Sequence, residues 1–179
     1  SGESLPVFME EHIFAPLGMK DTAFYVPEQK LGRLAALYDA DPQTGKLIPA
    51  DAAARYETIQ WVFFQMAGIG PMFGQFGHFH KFAAEKVANN SYPVELYRDE
   101  AKRLLGVLES RLKGRQWIMG DEYTIADITT FPWIRGADIF YGGREVLDYA
   151  KFPAVMDWLQ RCIARPASEK GLNIPVKPA

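Results

Sequence analysis

The sequence predicts a mainly α protein: a helical bundle over residues 51–179, preceded by a short α/β appendage at residues 1–50. Three observations carry that prediction. Beyond Ala52, apolar residues recur at the i, i+3, i+4, i+7 spacing of one helix face. Glycines and prolines stand where those runs should begin or stop. After residue 50 there is no alternating apolar–polar run of the kind that makes a half-buried strand.

The elements follow in order. Residues 5–14 read as a short helix, with Ser4 in the capping position, Pro6 in the first turn, and Pro16 and Gly18 past the end. An extended piece at 22–26, a helical or turn stretch at 28–38 and a Gly- and Pro-containing loop at 39–45 complete the appendage. It is too short and broken to form a core alone. In the bundle, Ile59, Val62, Phe63 and Met66 should form the inward face of a first long helix, stopped by Gly68 and Gly70-Pro71. Tyr97, Ala101, Leu104, Leu105, Leu108 and Leu112 form a longer stripe that ends at Gly114. Residues 124–139 read as helix with a kink at Pro132. Val155, Trp158, Leu159 and Cys162 form the last stripe, with Pro153 near its start and Pro166 after its end.

The sharpest local signal is a capping box. Thr124 is placed to accept from the backbone of Asp127, Asp127 to reach back to the N–H of Thr124, and Tyr123 with Ile128 to form a hydrophobic staple. Its role is structural: it fixes where that helix begins.

Composition excludes several classes. At 48% hydrophobic and 13% aromatic residues the chain is not a disordered polypeptide. A formal charge of −2 supplies no global field for nucleic acid or an anionic membrane. The single cysteine, Cys162, rules out a disulfide framework or a four-cysteine metal site and fits a reducing, cytoplasmic setting. No apolar run approaches the roughly 18 residues of a membrane-spanning helix. The opening Ser-Gly-Glu-Ser is unlike a signal peptide and reads as the interior of a longer sequence.

Other constellations read as structural. His78 and His80 could share one side of an extended segment, but zinc needs a third ligand and His12 lies in the other region, so no metal site is expected. Asp99-Glu100 and Asp121-Glu122 read as solvated surface, and Cys162, on an apolar stripe, as a buried small hydrophobe. Ser110 and Lys113 form the only Ser-x-x-Lys, late on the leucine-striped helix, where it is not expected to act.

Three motifs in order carry a resemblance. They are Arg55-Tyr-Glu-Thr-Ile-Gln-Trp-Val-Phe-Phe-Gln-Met-Ala-Gly-Ile-Gly-Pro-Met-Phe-Gly-Gln-Phe-Gly-His-Phe, Trp117-Ile-Met-Gly-Asp-Glu-Tyr-Thr-Ile-Ala-Asp-Ile and Phe152-Pro-Ala-Val-Met-Asp-Trp. Together they make residues 52–175 resemble the C-terminal helical domain of bacterial glutathione transferases, nearest to the Nu-type group with glutathione-dependent disulfide reductase activity. The resemblance implies that glutathione, a co-substrate, is held mainly by a thioredoxin-like N-terminal domain. The helical domain then supplies one wall of the second-substrate pocket and much of a dimer contact. On this chain the wall would comprise Trp61, Phe64, Gln65, Met72, Phe73 and Gln75. No cofactor bound by this chain is implied. The partner would be a second copy or a chain carrying a thioredoxin-like domain, with no nucleic acid and no membrane.

Residues 1–50 are too few for a thioredoxin-like domain, which needs about 80 residues by ordinary element and loop lengths. Gly45-Lys-Leu-Ile-Pro-Ala is similar to the run before that fold's cis-proline, yet Asp51-Ala-Ala-Ala leads straight into a helix. The thioredoxin-like domain is therefore expected to be absent, with no catalytic residue in the chain. Instead, Ser4-Leu-Pro-Val-Phe-Met-Glu-Glu-His-Ile-Phe-Ala-Pro-Leu-Gly-Met-Lys-Asp-Thr-Ala-Phe resembles an internal segment of the serine β-lactamase, esterase and penicillin-binding-protein-like family, with the likeness running to Leu47. That family's nucleophile, tyrosine and Lys-Thr-Gly strand do not occur here. The chain thus reads as a join of two pieces: a transferase-lineage protein lacking its thiol-activating half, or alternatively a non-catalytic helical binding or dimerisation module, or, more weakly, a hydrolase-family fragment.

Overall fold

The computed structural model describes residues 4–16, 47–83 and 86–172. The chain divides into two compact units, Ser1–Leu37 and Tyr38–Ala179. In the first, helix α1 (Leu5–Met9) runs on as a π-helical turn, Glu10–Phe14, so the helix expected over 5–14 is present. The Phe8 N–H donates to the Ser4 carbonyl at 3.0 Å, which closes the opening turn. The elements expected at 22–26, 28–38 and 39–45 lie outside the described residues.

The second unit takes in residues upstream of the compositional change at 50. Leu47 forms a parallel bridge with Thr124. Its carbonyl accepts from the Ile125 N–H at 2.9 Å, and Ile48 is 2% exposed. The boundary between units therefore falls earlier than residue 50, because these residues are bound into the bundle.

Helix α2 (Ala52–Phe64) starts at Asp51, whose Oδ2 accepts from the Ala54 N–H at 2.9 Å. It does not stop at Gly68 or Gly70-Pro71. It passes through a π turn, Gln65–Ile69, into α3 (Gly70–Gly77) and then a second π turn, His78–Phe82, so that residues 52–82 form one helical rod. The first π turn explains how Pro71 is tolerated. The Gly70 N–H reaches back to the Gln65 carbonyl, and Pro71 then sits in the opening turn of α3, where a missing N–H matters least. The glycines serve packing. A Cβ at Gly68 would meet Leu104 at 3.2 Å, and one at Gly70 would meet the Gln65 amide at 3.0 Å.

The rod packs on α4 (Ser91–Leu112) and α5 (Ile125–Arg135), and α6 (Pro153–Ile163) packs on both. As the spacing predicts, Ala101, Leu104, Leu105, Leu108 and Leu112 of α4 are buried, with Tyr97 packed against them. Gly114, at φ +70°, carries the chain out of the helix. Val155, Trp158, Leu159 and Cys162 of α6 are likewise buried. Pro132 lies inside α5 with its ring exposed, and the helical path continues as a π turn, Gly136–Phe140. A 3-10 turn, Tyr149–Lys151, precedes α6, and Pro166 opens a short helix α7 (Pro166–Leu172).

The inward face of α2 is the main departure from the sequence reading. Phe63 is 66% and Met66 59% exposed, whereas Thr58, Gln65 and Ile69 are buried. Two causes act together. The Thr58 hydroxyl donates to the Ala54 carbonyl at 2.8 Å, so a polar residue enters the core already satisfied. The π turn adds a residue to the helical repeat and shifts the register from Gln65 onward, which bears on Met66 but not on Phe63, a residue before the turn.

Candidate functional site

The rim of α2 holds a half-buried aromatic pair. Trp61 and Phe64 meet edge-to-face with centroids 5.3 Å apart, and both pack against the core. Arg111, in the last turn of α4, lies 5.2 Å from the Trp61 ring centroid. Its guanidinium is fixed from the other side: Nη2 is 2.6 Å from Glu57 Oε1, and Nε donates to the Ile118 carbonyl at 2.6 Å. Gln65 is 5% exposed and lies against Gly70, which in turn faces Trp133. Of the remaining wall candidates, Met72 is half-buried against the core, Gln75 is exposed and Phe73 is fully buried. Phe73 therefore lies inside the core. The structure joins Trp61 to Phe64 directly, while Met72 and Gln75 lie further along the rod, beyond the π turn.

The capping box forms as read, and it is larger than the sequence showed. Asp127 Oδ2 accepts from the Thr124 N–H at 2.9 Å and from its hydroxyl at 3.4 Å. Thr124 Oγ1 accepts from the Ala126 N–H at 3.3 Å. Oδ1 of Asp127 accepts from the Ile118 N–H at 2.9 Å and from Trp158 Nε1 at 2.8 Å. One buried carboxylate thus ties the turn before α5, the start of α5 and the middle of α6. Burial pushes its pKa up, and these donors pull it back. Tyr123 packs edge-to-face on Trp117 at 4.8 Å, with the Arg165 guanidinium 3.7 Å from its ring centroid. Burial pushes the Tyr123 hydroxyl up to about 12.

Glu109 was not legible as a site residue. It is buried on α4, and its Oε2 accepts from the Val155 N–H at 3.0 Å, capping the first turn of α6. Its partner lies 46 residues away, so no local motif could have signalled it.

Other candidates resolve as structural. His78 and His80 lie in a π-helical turn, not on an extended segment. His80 stacks on Phe76 at 4.9 Å and His78 meets Phe79 edge-to-face at 4.9 Å. Among the described residues no group of three or more His, Cys, Asp or Glu could hold a metal ion. The Ser110 hydroxyl donates to the Gly106 carbonyl at 2.9 Å, within its own helix. Cys162 is fully buried, and burial pushes its thiol well above the ordinary value, with Asp127 adding to the effect. No described helix is long and apolar enough to cross a membrane.

Comparison with known proteins fits this architecture. The Escherichia coli K12 disulfide-bond oxidoreductase YfcG is 38% identical over 136 residues, covering 76% of this chain and 59% of the relative. A glutathione transferase from Burkholderia graminis, solved with two glutathione molecules per subunit, is 54% identical with a TM-score of 0.70, covering 76% of this chain and 56% of that one. A glutathione transferase from Pseudomonas putida, solved with one glutathione disulfide per subunit, is 48% identical with a TM-score of 0.70, covering 74% of this chain and 57% of that one. The chain therefore spans less than three fifths of the length of these relatives. Residues 66–166, from the π turn of the rod to the opening of α7, match the family "Glutathione S-transferase, C-terminal domain". The chain belongs to the glutathione S-transferase family.

Proposed function

We propose that the helical unit supplies the second-substrate wall of a glutathione-dependent disulfide oxidoreductase, and that this chain's own residues do not activate the glutathione thiol. The observation that carries the reading is the Trp61–Phe64 pair, held half-buried on the rim of α2 by Arg111. An apolar, immobilised wall of this kind orients the organic part of a disulfide, while attack needs a thiolate from elsewhere. Cys162 does not provide one, since its thiol is sealed in the core. The E. coli relative's name and the glutathione disulfide held by the P. putida structure favour disulfides as the second substrate. In this reading the thioredoxin-like half comes from another polypeptide segment. Residues 1–50 fall outside the family match.

The test has two arms. In the first, the purified chain is assayed for glutathione-dependent reduction of 2-hydroxyethyl disulfide. No turnover is expected, and robust turnover would overturn the reading. In the second, S-hexylglutathione is titrated while tryptophan emission is followed. A saturable shift that disappears in Trp61→Phe is expected. A shift that survives the substitution, or no shift at all, removes the wall.

The exposed stripe of Tyr56 and Phe63 on α2 and Met66 in the π turn after it, at 67%, 66% and 59%, favours a second reading. There the unit serves as a dimerisation module without catalysis.

A further inference from the structure

One contact joins an oxidisable atom to the group that holds Trp61. Arg111 Nη2, besides its pairing with Glu57, donates to Met119 Sδ at 3.7 Å. Met119 is half-buried in the tight turn closed by Trp117 and Gly120, whose N–H groups donate to each other's carbonyls at 2.8 and 2.9 Å. The neighbouring Ile118 fixes that turn. Its N–H is bound by Asp127 at 2.9 Å, and its carbonyl takes Arg111 Nε at 2.6 Å. The sulfur is therefore held at the guanidinium and does not brush past it. A thioether is a weak acceptor; its sulfoxide is a polar one.

We propose that Met119 is a reversible oxidation site whose sulfoxide oxygen captures the Arg111 guanidinium and draws it from Glu57 and the Trp61 ring. The step balances with a hydroperoxide as oxidant. The thioether sulfur attacks one peroxide oxygen, an S–O bond forms as the O–O bond breaks, and the sulfur gives up two electrons. The remaining oxygen leaves as alkoxide, or hydroxide from hydrogen peroxide, and takes the proton shed by the transferred oxygen, giving an alcohol or water. Among the described methionines, Met9 of α1 is half-buried, and the arginine donor on sulfur belongs to Met119. Met72 and Met156 pack against the core, where a new oxygen would be buried. Met66 is 59% exposed, so it will oxidise into water and serve as an internal reference. Met119 combines partial access with a cation already on its sulfur. The inference is independent of the enzymatic reading above.

The experiment treats the full chain with hydrogen peroxide, maps sulfoxides by peptide mass spectrometry and follows tryptophan emission in the same samples. The emission change is expected to track Met119 oxidation, to reverse on treatment with methionine sulfoxide reductases and to persist in Met66→Leu. It should be absent in Met119→Leu and in Trp61→Phe, the latter separating Trp61 from nearby Trp117. Three results would overturn the proposal. Met119 could stay reduced after Met66 is fully oxidised. The change could survive in Met119→Leu or Trp61→Phe. Or the reductase could restore Met119 in the unmutated chain without restoring its emission, an arm that needs no folded variant.

Discussion

At the scale of single residues, Asp127 carries the most structure per atom. Its oxygens accept from two backbone N–H groups, a hydroxyl and an indole. Asp127→Asn keeps the shape but turns an N–H₂ toward these donors, and should cost about 2 kcal/mol; Asp127→Ala leaves all of them unpaired in the core, and should cost about 3–5 kcal/mol. Urea unfolding at neutral pH measures both. Half of this arrangement was legible, because Thr124 and Asp127 stand three residues apart in a known capping pattern. The bonds to Ile118 and Trp158 were not, since tertiary packing alone brings those donors in.

A pH dependence follows from the same core. Burial raises the pKa of the Cys162 thiol and of the Tyr123 and Tyr149 hydroxyls. A group whose pKa is raised on folding stabilises the fold fully below its unfolded pKa, and that contribution is lost as pH climbs. The unfolded values are about 8.5 for Cys and about 10 for Tyr. The urea midpoint should therefore fall steadily above pH 8.5, and Cys162→Ala should flatten the first part of the decline. Ellman's reagent should leave the native chain unreacted and titrate one thiol after denaturation.

At the scale of elements, the helical rod of residues 52–82 shows what periodicity can and cannot decide. The buried stripes of α4 and α6 are continuous along each helix, so spacing located them even though Tyr92, Leu96 and Val107 of α4 are exposed. On the rod of residues 52–82, spacing points the apolar Phe63 and Met66 inward, whereas the packing partner buries the polar Thr58 and Gln65 and leaves those two outside. Glycine was likewise ambiguous, since both helix termination and close packing call for it. Gly77 separates the two demands: a Cβ there would lie 2.6 Å from Tyr141 ring atoms. Gly77→Ala should cost about 1–3 kcal/mol or more. Gly68→Ala meets only the movable end of Leu104 and gains helix propensity, so it should stay within about 1 kcal/mol of the unsubstituted chain. Parallel thermal melts would rank the two.

At the scale of the whole molecule, an all-α bundle of transferase type was readable because three motifs recur in order across the chain. The candidate site was less so, because the Trp61–Phe64 pair meets Arg111 from a helix some fifty residues on, beyond the reach of any local pattern. The exposed stripe on α2 belongs to this scale too. Phe63→Glu should lower self-association in sedimentation velocity while leaving the melting temperature of dilute protein almost unchanged, since the side chain is 66% exposed. A midpoint that drops with the substitution would assign Phe63 to the interior instead.

The sealed position of the only sulfhydryl also has a practical consequence. A maleimide dye added to the native chain finds nothing to react with, so a cysteine introduced at any exposed position becomes a unique handle. Distances between the helical bundle and whatever docks on it could then be measured by energy transfer without first removing a native thiol.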